Sequence, residues 1–185
     1  MANRDARSRE RFEQCYALAR DPLVRYLARR AVPDAVEDLF AEVMTVAWRR
    51  IDDIPAGGEL PWLYGVARKV LGNHRRASGR FGRLLERIAL VQPADLGPFE
   101  PSGPDPDLAE ALAGLSPVDA EILRLWAWEE LAPGEIAVAL GITPNAASIR
   151  LHRAKGRLRT ALERDPRKVP CLGGHASGVE RTEAR

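Results

Sequence analysis

Cysteine is nearly absent: the 185 residues hold two, Cys15 and Cys171, alongside three histidines. So sparse a set builds neither a disulfide framework nor a zinc site, and the lone Cys171-x-x-x-His175 spacing in a glycine-containing tail is too thin to hold a metal. Long apolar runs are missing as well. No stretch approaches the ~20 residues of a membrane span, and the Arg-rich start lacks the apolar core of a signal peptide. The expectation is a cytoplasmic protein with no metal, no cofactor and no direct membrane insertion. Alternating apolar and polar residues, the mark of a half-buried strand, do not occur convincingly. There is no phosphate-binding glycine loop, nucleophile–base pair or metal-ligand cluster, so nothing supports an enzyme. Nor is one charge sign in large excess. With 28 Lys and Arg against 26 Asp and Glu, the net +2 excludes a histone-like polycation.

What is present is segregation of charge onto particular helices. Gly141 to Arg159 reads as a glycine turn, a capped start and a cationic amphipathic helix. Thr143 can act as N-cap, and Pro144 fits the first helical position, where its missing N–H costs nothing. Ala147, Leu151, Ala154 and Leu158 then recur at steps of four, three and four residues, which makes one apolar stripe. The other positions include Arg150, Arg153, Lys155, Arg157 and Arg159, with no acid among them. A helix that is small and apolar behind and cationic in front suits a DNA groove.

The residues upstream supply the other half of a helix-turn-helix. Pro133 to Leu140 is a short helix with Ile136, Ala137 and Leu140 on one side, ending at Gly141, which can take a left-handed conformation. Before it, Ser116-Pro117 caps another helix, and Asp119 is placed for the reciprocal side of a capping box. Ala111, Leu112, Leu115, Ile122, Leu123, Leu125 and Trp126 are the expected core of this half.

The N-terminal half is also helical by pattern. The charged first eleven residues are expected to fray as far as Phe12, and Asp21-Pro22 marks a break or restart. Val36, Leu39, Phe40, Val43, Val46, Ala47 and Ile51 give a second helix over Ala35 to Ile51, and Trp62, Leu63, Val66, Ala67, Val70 and Leu71 a third over Leu60 to Ala77. Asp34, Glu37, Asp38 and Glu42 cluster ahead of a stretch without acids that holds Arg68, Lys69, Arg75, Arg76, Arg80 and Arg83. Two separated basic patches imply two contacts with nucleic acid and binding that weakens steeply with salt. Pro93, Pro98, Pro101, Pro104 and Pro106, with Gly97 and Gly103, define a linker by composition. The expected organisation is therefore all-α: a helical domain over 10–90, a linker over 91–107, a helix-turn-helix domain over 108–165, and a disordered tail over 166–185. The two domains are expected to be able to sit apart on a partner.

Three segments in this order resemble the extracytoplasmic-function sigma factors, a compact group within the sigma-70 family of bacterial RNA polymerase. Ala35 to Arg49 resembles the polymerase-binding helix of region 2.2, and Pro61 to Arg76 the helix that reads the minus-10 promoter element. Leu115 to Arg159 resembles region 4, whose helix-turn-helix reads the minus-35 element. The resemblance implies a protein that binds core RNA polymerase and directs it to promoter DNA, reading the minus-35 element as duplex and capturing the minus-10 element as it melts. It also implies a dedicated anti-sigma factor, often membrane-bound, that covers these surfaces.

Roles follow residue by residue from that resemblance. Asp38 and Glu42, with Trp48 and Arg49 a turn or two on, would meet the polymerase. Arg68, Lys69, Arg75 and Arg76 would neutralise phosphates at the minus-10 element, and Asn73 could bond a base edge. Asp53 begins the loop that would hold a flipped base. In the minus-35 helix, Ser148, Ile149, His152 and Arg153 would face the major groove, Arg153 being the candidate for bidentate guanine contact. Asn145, Arg150 and Arg157 would touch phosphate. Ala41, Lys69, Asn73 and Ser148 depart from residues frequent in the family, which leaves the promoter sequence open. The alternative is a stand-alone helix-turn-helix regulator whose N-terminal half dimerises or senses. The basic helix and acidic face of that half speak against it.

Overall fold

Residues 2–11 contain neither proline nor glycine, and they extend the first helix instead of fraying. In the computed structural model, which describes residues 2–88 and 106–163, helix α1 spans Ala2–Ala28. Pro22 lies inside it without breaking it. Its missing N–H deprives only the carbonyl of Leu18, a residue on the solvent side where water can serve that oxygen. A 3-10 turn at Pro33–Ala35 leads into α2, Val36–Arg49. A second such turn at Ile51–Asp53 and a bend at Gly57, with φ of 75°, lead into α3, Glu59–Ile88. Helix α3 thus runs past Ala77, since Gly79 and Gly82 weaken a helix without stopping it.

The second group begins at α4, Pro106–Ala113. It starts inside the stretch assigned to the linker because proline is at home in a first helical turn. The rest of that linker, and the tail after Glu163 with Cys171, lie outside the described residues. Helix α5, Pro117–Ala127, is capped by Ser116, whose Oγ accepts from the Asp119 N–H at 3.1 Å. Helix α6, Pro133–Leu140, ends in a Schellman arrangement: Gly141 N donates to the Val138 carbonyl at 3.3 Å and Ile142 N to the Ala137 carbonyl at 3.0 Å. Gly141 sits at φ 67°, ψ 40°, as that closure requires. Thr143 Oγ1 accepts from Ala146 N at 3.2 Å and opens α7, Pro144–Glu163. Among the described residues every regular element is helical, and the fold is all-α.

Helices α1, α2 and α3 pack pairwise through Leu23, Tyr26 and Leu27, Leu39 and Val43, and Leu63 and Ala67. Ile122, Leu125, Ile136, Ala147, Leu151 and Ala154 fill the space between α5, α6 and α7. Each such side chain taken fully from water contributes about 1.5–3 kcal/mol for the larger aliphatics. Trp126 does not join them. It is 43% exposed, with Lys155 Nζ 3.4 Å from its ring centroid, a cation–π contact that replaces the expected burial. The two groups are not apart in this structure. Helix α6 lies across α3, and a Cβ at Gly65 would stand 3.0 Å from the Ala139 carbonyl oxygen.

Gly141→Ala should lower stability by about 1 kcal/mol, because a Cβ is strained at positive φ. Gly134→Ala, with open space around its position, should not be destabilising. Urea titration followed by circular dichroism checks both.

Candidate nucleic-acid interface

Helix α7 buries Ala147, Leu151 and Ala154, so its opposite side is turned to solvent. Asn145, Ser148, Ile149, Arg150, His152 and Arg153 are all exposed. Asn145, Ser148, Ile149 and His152 recur at helical spacing and share a face, with Arg153 one turn beyond Ile149. Ser148 Oγ donates to the Pro144 carbonyl at 3.0 Å, which occupies its proton while leaving its lone pairs outward. Arg157 is placed differently from the rest. Its guanidinium donates to the Asp119 carboxylate of α5, an acid whose side chain is 10% exposed. The Asp119 carboxylate is thereby engaged across helices, so it does not reach back to Ser116 as a reciprocal cap. Only the forward half of that capping box is made.

Helix α3 carries two adjoining rows. Gly65, Arg68, Gly72 and Arg75 follow one another at steps of three and four, as do Lys69, Asn73 and Arg76 beside them. The second row is exposed, and Arg76 Nη2 donates to Asn73 Oδ1 at 2.6 Å. Members of the first row reach other segments of the chain. Arg68 Nη2 lies 3.4 Å from the Leu140 carbonyl at the end of α6, and Arg75 Nη2 donates to the Arg30 carbonyl at 3.0 Å. Asp53, before α3, pairs with Arg50 Nε at 2.9 Å, and both side chains are more than half exposed. Arg80 and Arg83 lie on α3 within its described backbone.

On the far side of α2 the expected acidic face is open. Asp38, Glu42, Trp48 and Arg49 are exposed, and Trp48 is 47% so. Trp48 borders a groove between α1 and α2 that is floored by Phe12, Tyr16, Phe40 and Met44. Phe12 meets Trp48 edge-on at 5.2 Å, and Tyr16 meets Phe40 edge-on at 5.6 Å between ring centroids. The position of Phe12 and Tyr16 at a groove beside Trp48 depends on the crossing of two helices.

A third cluster had no counterpart in the sequence reading. At the end of α1, Arg29 Nη2 meets Glu129 Oε2 at 2.6 Å and Arg30 Nη1 meets Glu129 Oε1 at 3.1 Å. Arg30 Nη2 is 3.4 Å from Glu121 Oε1, and Tyr26 Oη donates to that same oxygen at 3.0 Å. The Arg30 guanidinium stacks on the Tyr26 ring at 3.7 Å, and Trp128 faces both arginines. Side-chain exposure is 6% for Arg30 and 3% for Glu129. Burial, then the Glu121 charge, pushes the Tyr26 hydroxyl far up, so it remains a donor. The neighbouring Tyr64 is pushed up to about 12, by burial first and Glu129 next. Burial lowers the Arg124 value. The residue after Glu129, Glu130, has a φ of 55°, a left-handed turn that a non-glycine residue rarely adopts.

A cationic helix-turn-helix joined to a helical bundle with its own basic helix defines an all-helical DNA-binding protein. Residues 106–158 match the family described as Sigma-70, region 4. An RNA polymerase sigma-E factor of Streptomyces avermitilis is 33% identical over 157 residues, covering 82% of this chain and 85% of the relative. Its counterpart in Streptomyces coelicolor is 30% identical over 159 residues, with the same coverage. Two solved structures share the fold. The sigma factor RpoE of Bartonella quintana, in complex with the anti-sigma factor NepR, has a TM-score of 0.58 and 24% identity, covering 83% of this chain and 98% of that one. CnrH in complex with the cytosolic domain of CnrY has a TM-score of 0.54 and 21% identity, covering 83% and 88%. The chain belongs to the sigma-70 family of RNA polymerase sigma factors, in its extracytoplasmic-function group.

Among the described residues no helix is long and apolar enough to cross a membrane. The Asp119–Arg157 contact yields a stability prediction. Arg157→Ala should cost about 1 kcal/mol by leaving a nearly buried carboxylate unpaired. A double-mutant cycle with Asp119→Ala, read by urea denaturation, should return a coupling of roughly 0.5 kcal/mol or more.

Proposed function

We propose that this chain joins core RNA polymerase in the cytoplasm and directs it to a restricted set of promoters, with its two basic helices reading separate elements. The observation that carries the reading is the order of three surfaces in one chain. An acidic and aromatic face on α2 comes first, then a basic row on α3, then a capped cationic helix α7. The length over which the Streptomyces sigma-E factors match supports assigning the whole protein, and not only its last helices, to this work.

Within that reading, the bundle over 10–90 and the helix-turn-helix over 108–165 act as two modules separated by the 91–107 linker. Asp38 and Glu42 offer charge to a basic polymerase helix, while Trp48 and the groove beside it offer apolar area. Lys69, Asn73 and Arg76 stand open on α3 toward the minus-10 element, and Arg68 and Arg75 become available when their carbonyl partners are exchanged for phosphates. Asp53 lies before this helix, at the loop proposed to hold an extruded base. On α7, Ser148, Ile149, His152 and Arg153 read the minus-35 duplex, flanked by Asn145 and Arg150. Arg157 serves mainly to hold α7 on α5. An anti-sigma factor is the further partner this reading includes, as the solved structure of the Bartonella quintana sigma factor RpoE is a complex with the anti-sigma factor NepR.

The test is open-complex formation on a candidate promoter with purified core polymerase. A sigma factor opens the promoter only with the polymerase, whereas tight independent DNA binding without polymerase association would favour a stand-alone regulator. Arg153→Ala should reduce minus-35 discrimination by about 1–3 kcal/mol in competition binding of the holoenzyme. Asp38→Ala should chiefly weaken association with core polymerase, measured by native gel or fluorescence anisotropy, and leave that discrimination unchanged.

A further inference from the structure

Helix α7 carries one large apolar side chain that the fold does not use. Ile149 is 43% exposed, while Ala147, Leu151 and Ala154 seat the helix on its neighbours. At ~100° per residue, Ile149 falls almost opposite that buried stripe. Asn145 and His152 flank it along the same face, with Ser148 to one side and Arg153 to the other. The face continues at Gly156, where a Cβ would meet only open space. The side chains able to reach base edges are therefore these five, in the N-terminal half of α7, and Ile149 stands at their centre.

An aliphatic side chain has nothing to offer phosphate, and leaving it in water forgoes the gain of burial. In the major groove one base supplies an apolar partner, thymine, through its C5 methyl. Isoleucine has neither donor nor acceptor in its side chain. An amino group or carbonyl oxygen of another base, pressed against it, would lose water and gain no hydrogen bond.

Ser148 is restricted in a different way. Its hydroxyl donates to the Pro144 carbonyl at 3.0 Å. A hydroxyl has one proton, so what Ser148 turns outward is an acceptor. The base edges that donate in the major groove are the adenine N6 and cytosine N4 amino groups. Guanine and thymine present only acceptors there, which would meet the serine lone pair to lone pair.

We propose that α7 selects a thymine by its C5 methyl against Ile149, and a nearby base carrying an amino group, adenine or cytosine, through Ser148. This inference rests on reading α7 as the helix that enters the minus-35 duplex. It assigns part of the promoter sequence from the chemistry of two side chains.

Ile149 takes no part in the core and alanine is the better helix former, so Ile149→Ala should keep wild-type helicity by circular dichroism. Holoenzyme assembled from the full chain and core polymerase selects duplexes from a library randomised over the minus-35 element, and the chain alone is run in parallel. Each thymine of the selected duplex is then replaced in turn by deoxyuridine, which removes the C5 methyl and keeps the pairing. One such replacement should weaken wild-type binding about fourfold, the worth of one buried methyl-sized group. Ile149→Ala should bind the thymine and deoxyuridine duplexes equally at that position, with the guanine preference proposed for Arg153 unchanged. Ser148→Ala should relax selection about fivefold at a second position, where the wild type enriches adenine or cytosine. No thymine among the selected bases, or a deoxyuridine loss of the same size in wild type and Ile149→Ala, overturns the thymine contact. The second of those results means that the methyl acts through duplex shape. Guanine or thymine enriched where Ser148→Ala relaxes selection, or no position relaxed, overturns the amino-group contact. Selection by the chain alone without polymerase association, with the methyl loss confined to the wild type, overturns the sigma reading and leaves the thymine contact standing.

Discussion

The approach of α6 to α3 at Gly65 is the constraint on which the arrangement of this molecule depends. A Cβ at that position would stand 3.0 Å from the Ala139 carbonyl oxygen, closer than ordinary van der Waals contact. Only with so close a crossing does Arg68 reach the Leu140 carbonyl, and only then do the acids at α5 and its following turn meet the arginines at the end of α1. The apolar core becomes continuous through the same crossing. Remove the short distance and each helical group keeps its own packing, while the ion pairs between them lose their geometry.

The helix-turn-helix was legible from sequence because its determinants are local. Ser116, Gly141 and Thr143 act within a few residues of themselves, and cap chemistry is readable at that range. The alanine and leucine stripe of α7 likewise states its own buried side. Helix ends were less legible: charged residues 2–11 carry little apolar pattern, and Gly79 and Gly82 read as breakers although Phe81, Leu84, Leu85 and Ile88 continue at helical spacing. Asp119 shows the limit of local reasoning: its position suited a reciprocal cap, but Arg157, distant in sequence, took the carboxylate.

The cluster between the groups was beyond sequence reasoning for a physical reason. Tyr26 and Glu121 are 95 residues apart, and Arg29 and Glu129 are 100 apart. No periodicity connects such positions, and an arginine pair at a helix end reads as an ordinary solvated terminus. The aromatic groove was missed in a milder way. Phe12 and Tyr16 announce an apolar face, but whether that face closes into core or borders a cleft is decided by how α2 crosses α1. Candidate readers were visible as residue types; their present partners were not.

Charge bookkeeping across the crossing has one more consequence. While the groups are together, Arg29 and Arg30 are paired with Glu121 and Glu129, and Arg124 of α5 lies 3.9 Å from Glu121 as well. Separation would leave a cationic spot on the bundle and an anionic one beside the helix-turn-helix. Each is a mark the closed chain does not display. A partner that holds the chain extended must therefore tolerate both or answer both, with acid toward the end of α1 and base toward α5. Its complementarity would be to a surface that exists only after the parting.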